Sequence, residues 1–357
     1  MLRLNVKITF TSNNPLTKGD TTIFHQVTEC ETEESYENLT DTFKITVPRN
    51  INMDGKPLFN GTTPLFNRGD NVKVELGYYP NLRTVFEGWV SEIGAKIPVE
   101  IKCEDDMWLL KNTTITYPSK ALQTYTTVSK KTGRPLMHPR YIGASITLKQ
   151  LLNEILAQGA DDIELAEPVL DVNLGQFRVN NVSVCKVLEE LKSKYGLYSY
   201  FRDGLLYVGL PSNAADTVTR EFEFEKNIID DSELEYQLAE NISVRVVAKL
   251  IGLNNTFEEV EVGNPDGAVR TFHLYYDGVG TKPDLKEFAQ LKLDESVYDG
   301  YRGSFETFGE PYVRHGDIVK LKSKKLPERD GNYLVTSVKR TFGMGGYRQI
   351  IEIGAKA

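Results

Sequence analysis

Two stretches decide the reading of this sequence: Arg68-Gly69-Asp70-Asn71-Val72-Lys73-Val74 and His315-Gly316-Asp317-Ile318-Val319-Lys320-Leu321. In each, a Gly-Asp pair launches an alternating strand, the residue types that a tight turn and a half-buried strand require. A proline follows each glycine at the same offset, Pro80 and Pro327. A glycine-led β run comes next, Gly88-Trp89-Val90-Ser91-Glu92-Ile93 in one copy and Gly331-Asn332-Tyr333-Leu334-Val335-Thr336-Ser337-Val338 in the other. The repetition predicts two similar β modules in one polypeptide, with Gly69, Asp70, Gly316 and Asp317 as the structural turns of the duplicated strand. A ring of such chains has twice as many equivalent positions as subunits.

Working outward from the first copy, Leu2, Leu4, Val6 and Ile8 alternate with Arg3, Asn5 and Lys7, and Phe43-Lys44-Ile45-Thr46-Val47 does the same, the pattern of a half-buried antiparallel sheet. Glu104-Asp105-Asp106 before Met107-Trp108-Leu109-Leu110-Lys111 suits the dipole of a short helix. The first part, residues 1–113, is therefore expected to be a small β barrel closed by a short helix. From Asn112 to Tyr141 periodicity disappears, and the stretch reads as a long exposed loop. Thr147-Leu148-Lys149-Gln150 spells a capping box ahead of Leu151, Leu152, Ile155 and Leu156, and a second helix spans Ser183 to Tyr195 before Gly196. Asp203-Gly204 marks a hairpin turn between Tyr198 and Val208. The middle domain, 114–213, is thus a long loop plus an α+β fold.

The last part, 214–357, returns to strands, with a hairpin expected around Asn264-Pro265-Asp266-Gly267 and one helix between Asp284 and Asp294. A final strand pair runs from Tyr333 to Thr341 and from Tyr347 to Ile353, turning at Gly343-Met344-Gly345-Gly346. The fold class is mainly β with an α+β insert, two similar small β-barrel domains flanking a helix-containing middle domain.

Composition narrows the function classes. The 357 residues exceed what one hydrophobic core serves. A net charge of −8 sets a low expectation for binding phosphate backbones, so no nucleic-acid specificity is expected. Cys30, Cys103 and Cys185 are odd in number and far apart, which fits a reducing compartment rather than a disulfide framework. No run approaches the ~20 apolar residues of a membrane helix, and the N-terminus has the alternation of a strand rather than of a cleaved leader.

The chemistry of catalysis is sought and not found. His25, His138, His273 and His315 lie apart, each expected to be a surface or turn residue, so no metal site is expected. No serine elbow or phosphate-cradling loop occurs. Glu104, Asp105 and Asp106 are the acids to weigh for a cell-wall glycosidase, and their place before Trp108 favours a helix N-terminus. Neither a cofactor nor a catalytic residue is expected. The 18 tyrosines permit a carbohydrate-binding protein, but strand propensity accounts for them. Acidic runs, Glu29 to Glu37 and Glu221 to Glu235, contrast with a basic cluster near the C-terminus that includes Lys320, Lys322, Lys324, Lys339 and Arg340, and these read either as solvated faces or as patches that meet between subunits. Lys320, Lys322 and Lys324 are accordingly a candidate charge patch between neighbouring subunits.

The ending Phe308-Gly309-Glu310-Pro311, Gly316-Asp317-Ile318-Val319, Gly331-Asn332-Tyr333-Leu334-Val335 and Gly346-Tyr347-Arg348 resembles the baseplate hub proteins of contractile-tailed phages, as does Phe86-Glu87-Gly88-Trp89-Val90 with Ile101-Lys102-Cys103-Glu104-Asp105. This is the late control protein D or phage Mu-type tail hub family, related to the N-terminal part of type VI secretion spike proteins. The resemblance implies a homotrimer with a pseudo-sixfold ring, no enzymatic activity, and a tail tube protein, a spike and other baseplate proteins as partners. It implies assembly in the bacterial cytoplasm and residence in the tail baseplate of a virion, prophage or injection apparatus. Because no needle domain is spelled within the 357 residues, the spike is expected to be a separate polypeptide.

Overall fold

The computed structural model describes all residues except 1–2, 16, 49–51, 54–55, 58, 61–62, 65–66, 119–122, 129–134, 141–144, 171, 211–216, 253–255 and 277–282. The chain forms two compact units, one from Met1–Trp108, Pro211–Ala239 and Asp299–Ala357, the other from Leu109–Leu210 and Glu240–Tyr298.

The first unit is built on one sheet of fourteen strands. In chain order these are β1 (Leu4–Thr11), β2 (Thr21–Phe24), β3 (Glu29–Ser35), β4 (Thr42–Val47), β5 (Asn71–Tyr78), β6 (Arg83–Ile93), β7 (Val99–Glu104), β8 (Thr219–Glu223), β9 (Ile228–Asp230), β10 (Leu234–Gln237), β11 (Gly300–Phe308), β12 (Ile318–Lys322), β13 (Gly331–Gly343) and β14 (Gly346–Lys356). Their spatial order is β2-β1-β5-β6-β7-β4-β3-β13-β14-β11-β9, with β12 also on β13, β8 on β12 and β10 on β11. Alternation decides which side chains face inward. Val6, Ile8, Phe10, Val72, Val74, Leu76, Phe43, Ile45, Val47, Val90 and Ile101 meet in one buried core, and Tyr312, Phe342 and Tyr347 from the far end of the chain join it. Burial of such side chains contributes about 1.5–3 kcal/mol each.

The chain is mainly β, with a helix-containing insert and two small β-barrel modules. Sequence reasoning treated the modules as separate bodies, yet they share this sheet, joined where β3 pairs with β13.

A short helix, α1 (Met107–Asn112), follows β7, and the second unit carries the longer helices. Helix α2 (Leu148–Leu156) opens with Thr147 and Gln150 as a reciprocal capping box, and α3 (Val184–Tyr195) runs from the Ser183 N-cap to Gly196 in the left-handed conformation. Strands Tyr198–Arg202 and Leu205–Gly209 turn at Asp203 and Gly204, both at positive φ. Here the structure corrects two expectations. The Asn112–Tyr141 stretch is not a plain loop: Thr114–Tyr117 pairs with Val179–Ser183, and Gln123–Val128 pairs antiparallel with Pro135–Arg140. Backbone pairing needs no apolar alternation, and the β-branched Thr124, Thr126, Thr127 and Val128 were a strand signal masked by the flanking prolines.

The strands on either side of Asn264-Pro265-Asp266-Gly267 do not form a hairpin. Thr256–Gly263 and Ala268–Tyr275 lie on opposite edges of Val244–Gly252, antiparallel and parallel to it. That run, Val244 to Ile251, is the most apolar of the three and takes the centre, where it packs with Leu285 and Ala289 of α4 (Leu285–Ser296). The segment Glu240–Tyr298, allotted to the third part in the sequence reading, belongs to this unit.

Candidate functional site: two equivalent Gly-Asp modules on one sheet

The two Gly-Asp turns match bond for bond. Gly69 and Gly316 have φ of +87° and +80°, a conformation glycine adopts without steric cost. The Gly69 amide donates to the Val90 carbonyl at 2.8 Å and the Val90 amide to the Asp70 carbonyl at 2.9 Å; Gly316, Val335 and Asp317 repeat this at 2.8 and 2.8 Å. Each aspartate takes the amide three residues earlier on one carboxylate oxygen, Asn67 to Asp70 at 2.6 Å and Arg314 to Asp317 at 2.9 Å. The other oxygen accepts an amide beside the neighbouring strand, Asn13 at 2.9 Å and Val218 at 3.3 Å. Both carboxylates are buried, Asp70 at 2% and Asp317 at 4% exposure.

From these anchors the same rung runs across each module. Val90 lies beside Cys103, Cys103 beside Phe43, and Phe43 beside Thr32. In the second copy Val335 lies beside Ile353, Ile353 beside Gly303, and Gly303 beside Leu234. The strand order β5-β6-β7-β4-β3 thus has its counterpart in β12-β13-β14-β11-β10, all antiparallel. Only the outermost strand differs in sense: β1 runs antiparallel to β5, whereas β8 runs parallel to β12.

Charge accompanies the strand pairing. Along the β3–β13 seam, Glu31 meets Lys339 at 2.9 Å and Glu34 meets Arg340 at 2.8 Å. Arg340 is fully buried; its guanidinium also donates to the Val313 carbonyl and lies 4.5 Å from the Tyr312 ring centre. Burial alone would raise the Glu34 carboxyl, but the Arg340 charge and hydrogen bond hold it below its ordinary value. Asp41 behaves oppositely: burial, then the nearby Asp105 and Glu34, push its carboxyl well up. On the β8–β12 pair, Lys322 meets Glu221 and Lys324 meets Glu223, each at 2.7 Å, while Lys320 stands beside Glu221 in the register. Lys322, Lys324, Lys339 and Arg340 of the basic cluster thus have ion-pair partners in the acidic runs of the same chain.

The remaining sequence candidates are placed as follows. Asp105 Oδ1 accepts the Met107 amide at the start of the short helix, and Asp106 accepts the Trp89 indole N–H at 2.7 Å. His315 is buried in the turn that precedes Asp317, with its ring 6.4 Å from that of Tyr36. His273 is half-buried, His25 exposed, and the side chain of His138 lies outside the described residues. A cleft of about 580 Å³ is lined by Leu76, Gly77, Tyr78, Asn81, Leu82, Arg83 and Glu310, with one acid and one base. Among the described residues no group of three or more His, Cys, Asp or Glu is arranged to hold a metal ion. What sequence reasoning missed is the seam, whose two strands lie at opposite ends of the chain.

No family model matches the sequence, and no curated protein matches it. The fold, by contrast, is that of phage tail proteins, matched along nearly the whole chain. The prophage MuSo2 43 kDa tail protein from Shewanella oneidensis is 14% identical with a TM-score of 0.58, covering 98% of both chains. The tail protein from Neisseria meningitidis MC58 is 12% identical with a TM-score of 0.56, covering 99% of this chain and 97% of that one. The E. coli c3393 protein, a type VI secretion component described as similar to T4 bacteriophage tail proteins gp27 and gp5, is 9% identical with a TM-score of 0.52 over 93% of this chain and 74% of its own.

Proposed function

We propose that this chain is a structural hub of a phage tail baseplate or a related injection apparatus, in which three copies form a ring of six equivalent β modules between a sixfold tail tube and a threefold spike. The tail-protein fold supports the structural role, and the observation that carries the ring is the Gly-Asp rung repeated across five strands. A trimer of duplicated modules presents six similar positions on one side and three on the other, which removes a symmetry mismatch. The work is mechanical: apolar burial supplies affinity and charge supplies register. On this reading the spike is a separate chain, and the hub is assembled in the bacterial cytoplasm before it enters the baseplate.

Native mass spectrometry tests the ring. A mass of three chains is expected, and a chain that stays monomeric both alone and with its tube protein would overturn the proposal. Dye release from peptidoglycan is expected at background; activity abolished by Glu104→Gln would instead establish an enzyme. The Lys320, Lys322 and Lys324 patch, two of whose lysines are paired internally, is tested as an inter-copy contact by charge reversal. Unchanged oligomer size in light scattering removes it from that role.

A further inference from the structure

Inside the chain, the first module holds the second by one strand pairing: β3 lies on β13 just past the Gly-Asp anchor, Ser35 beside Ser337 and Glu29 beside Gly343. The module equivalence assigns each partner a counterpart. Val335 corresponds to Val90, so Ser337 corresponds to Glu92; Thr32 corresponds to Leu234, so Ser35 corresponds to Gln237.

Both counterparts are open. Among the described residues, β10 and β9 pair only with β11, so their other flank ends the sheet. Past Val90, likewise, no strand occupies the β5 side of β6 among the described residues. The open flank of β9 and β10 carries exposed Ile229, Asp230, Asp231, Glu233 and Glu235, as β3 carries glutamates; Lys96 and Ile97 are exposed beyond β6.

We infer that β10 of one copy pairs antiparallel with the end of β6 of a second copy, with Gln237 beside Glu92, repeating between chains the seam that β3 and β13 make within one. Such a contact is head-to-tail, so it closes into a ring if the rotation allows and covers both of these open flanks once closed. The inference rests on the ring proposed above, and supplies the surface by which it closes.

The experiment uses Gln237→Cys and Glu92→Cys in the full chain. The native Cys30, Cys103 and Cys185 are buried, so a short bis-maleimide reports the new sites. A mixture of the two single variants should yield covalent dimers, the double variant covalent trimers, and each single variant alone neither. Should native mass spectrometry show trimers while the mixture gives no dimer, this strand pairing is wrong and the ring stands. If both variants are monomeric, as is the unmodified chain, ring and pairing fall together. As a measurement free of substitution, amide exchange at Leu234–Gln237 should be at least tenfold slower in the trimer than in dissociated chains; equal exchange overturns the pairing.

Discussion

Asp70 and Asp317 each accept two backbone amides on a buried carboxylate. Alanine at either site is expected to cost about 1–3 kcal/mol in denaturant unfolding. Gly316→Ala, forced to φ near +80°, should cost more than about 1 kcal/mol. The buried seam pair is more consequential: Arg340→Met leaves the Glu34 carboxylate without its counter-charge and should destabilise by about 3–5 kcal/mol. The acids nearby give opposite pH signatures. The Glu34 carboxyl is depressed on folding, so its contribution is complete above its unfolded value of about 4.3 and is lost as pH falls through the folded one. Asp41 is raised, so its contribution is present in acid and disappears as pH climbs from about 3.9 through the folded value. Melts of Asp41→Asn should show a gain at pH 7 that shrinks towards pH 4, and Glu34→Gln a loss at pH 7 that shrinks below pH 4.

Among elements, those specified by adjacent residues were legible. The α2 capping box, the Ser183 and Gly196 caps of α3 and the Asp203-Gly204 turn each depend on residues within one turn of chain. Thr147→Ala should therefore cost about 0.5–2 kcal/mol through the loss of one cap, whereas Lys324→Ala, which removes an exposed ion pair, should leave the unfolding midpoint nearly unchanged. Both are read from chemical melts. The Gly-Asp turns were legible for the same local reason, and their duplication was visible as repeated spelling. Strand partners were not. Alternation marks the inward face of β3 but not which strand lies beside it, and the glutamates on it looked like an external patch because Lys339 and Arg340 are far away in sequence. The central place of Val244–Gly252 was hidden similarly, since the turn at Asn264–Gly267 has the composition of a hairpin turn while the strands it joins straddle a third.

At the scale of the whole molecule, the duplication belongs to the first unit alone; the second occurs once per chain. Averaged electron micrographs down the axis of the proposed ring should accordingly show density repeating every 60° from the first unit and every 120° from the second. A single 120° period throughout would mean that the two modules are not used equivalently.

The seam also bears on how the chain leaves the ribosome. Ser35 and Thr336, joined by a hydrogen bond, are 301 residues apart, so β3 emerges long before its partner has been translated, and during that interval it is a bare edge of the kind that recruits other nascent chains. Glu29, Glu31, Glu33 and Glu34 make two such edges repel each other. The acids that lock the finished sheet to Lys339 and Arg340 thus act earlier as gatekeepers, guarding a half-made polypeptide against its siblings.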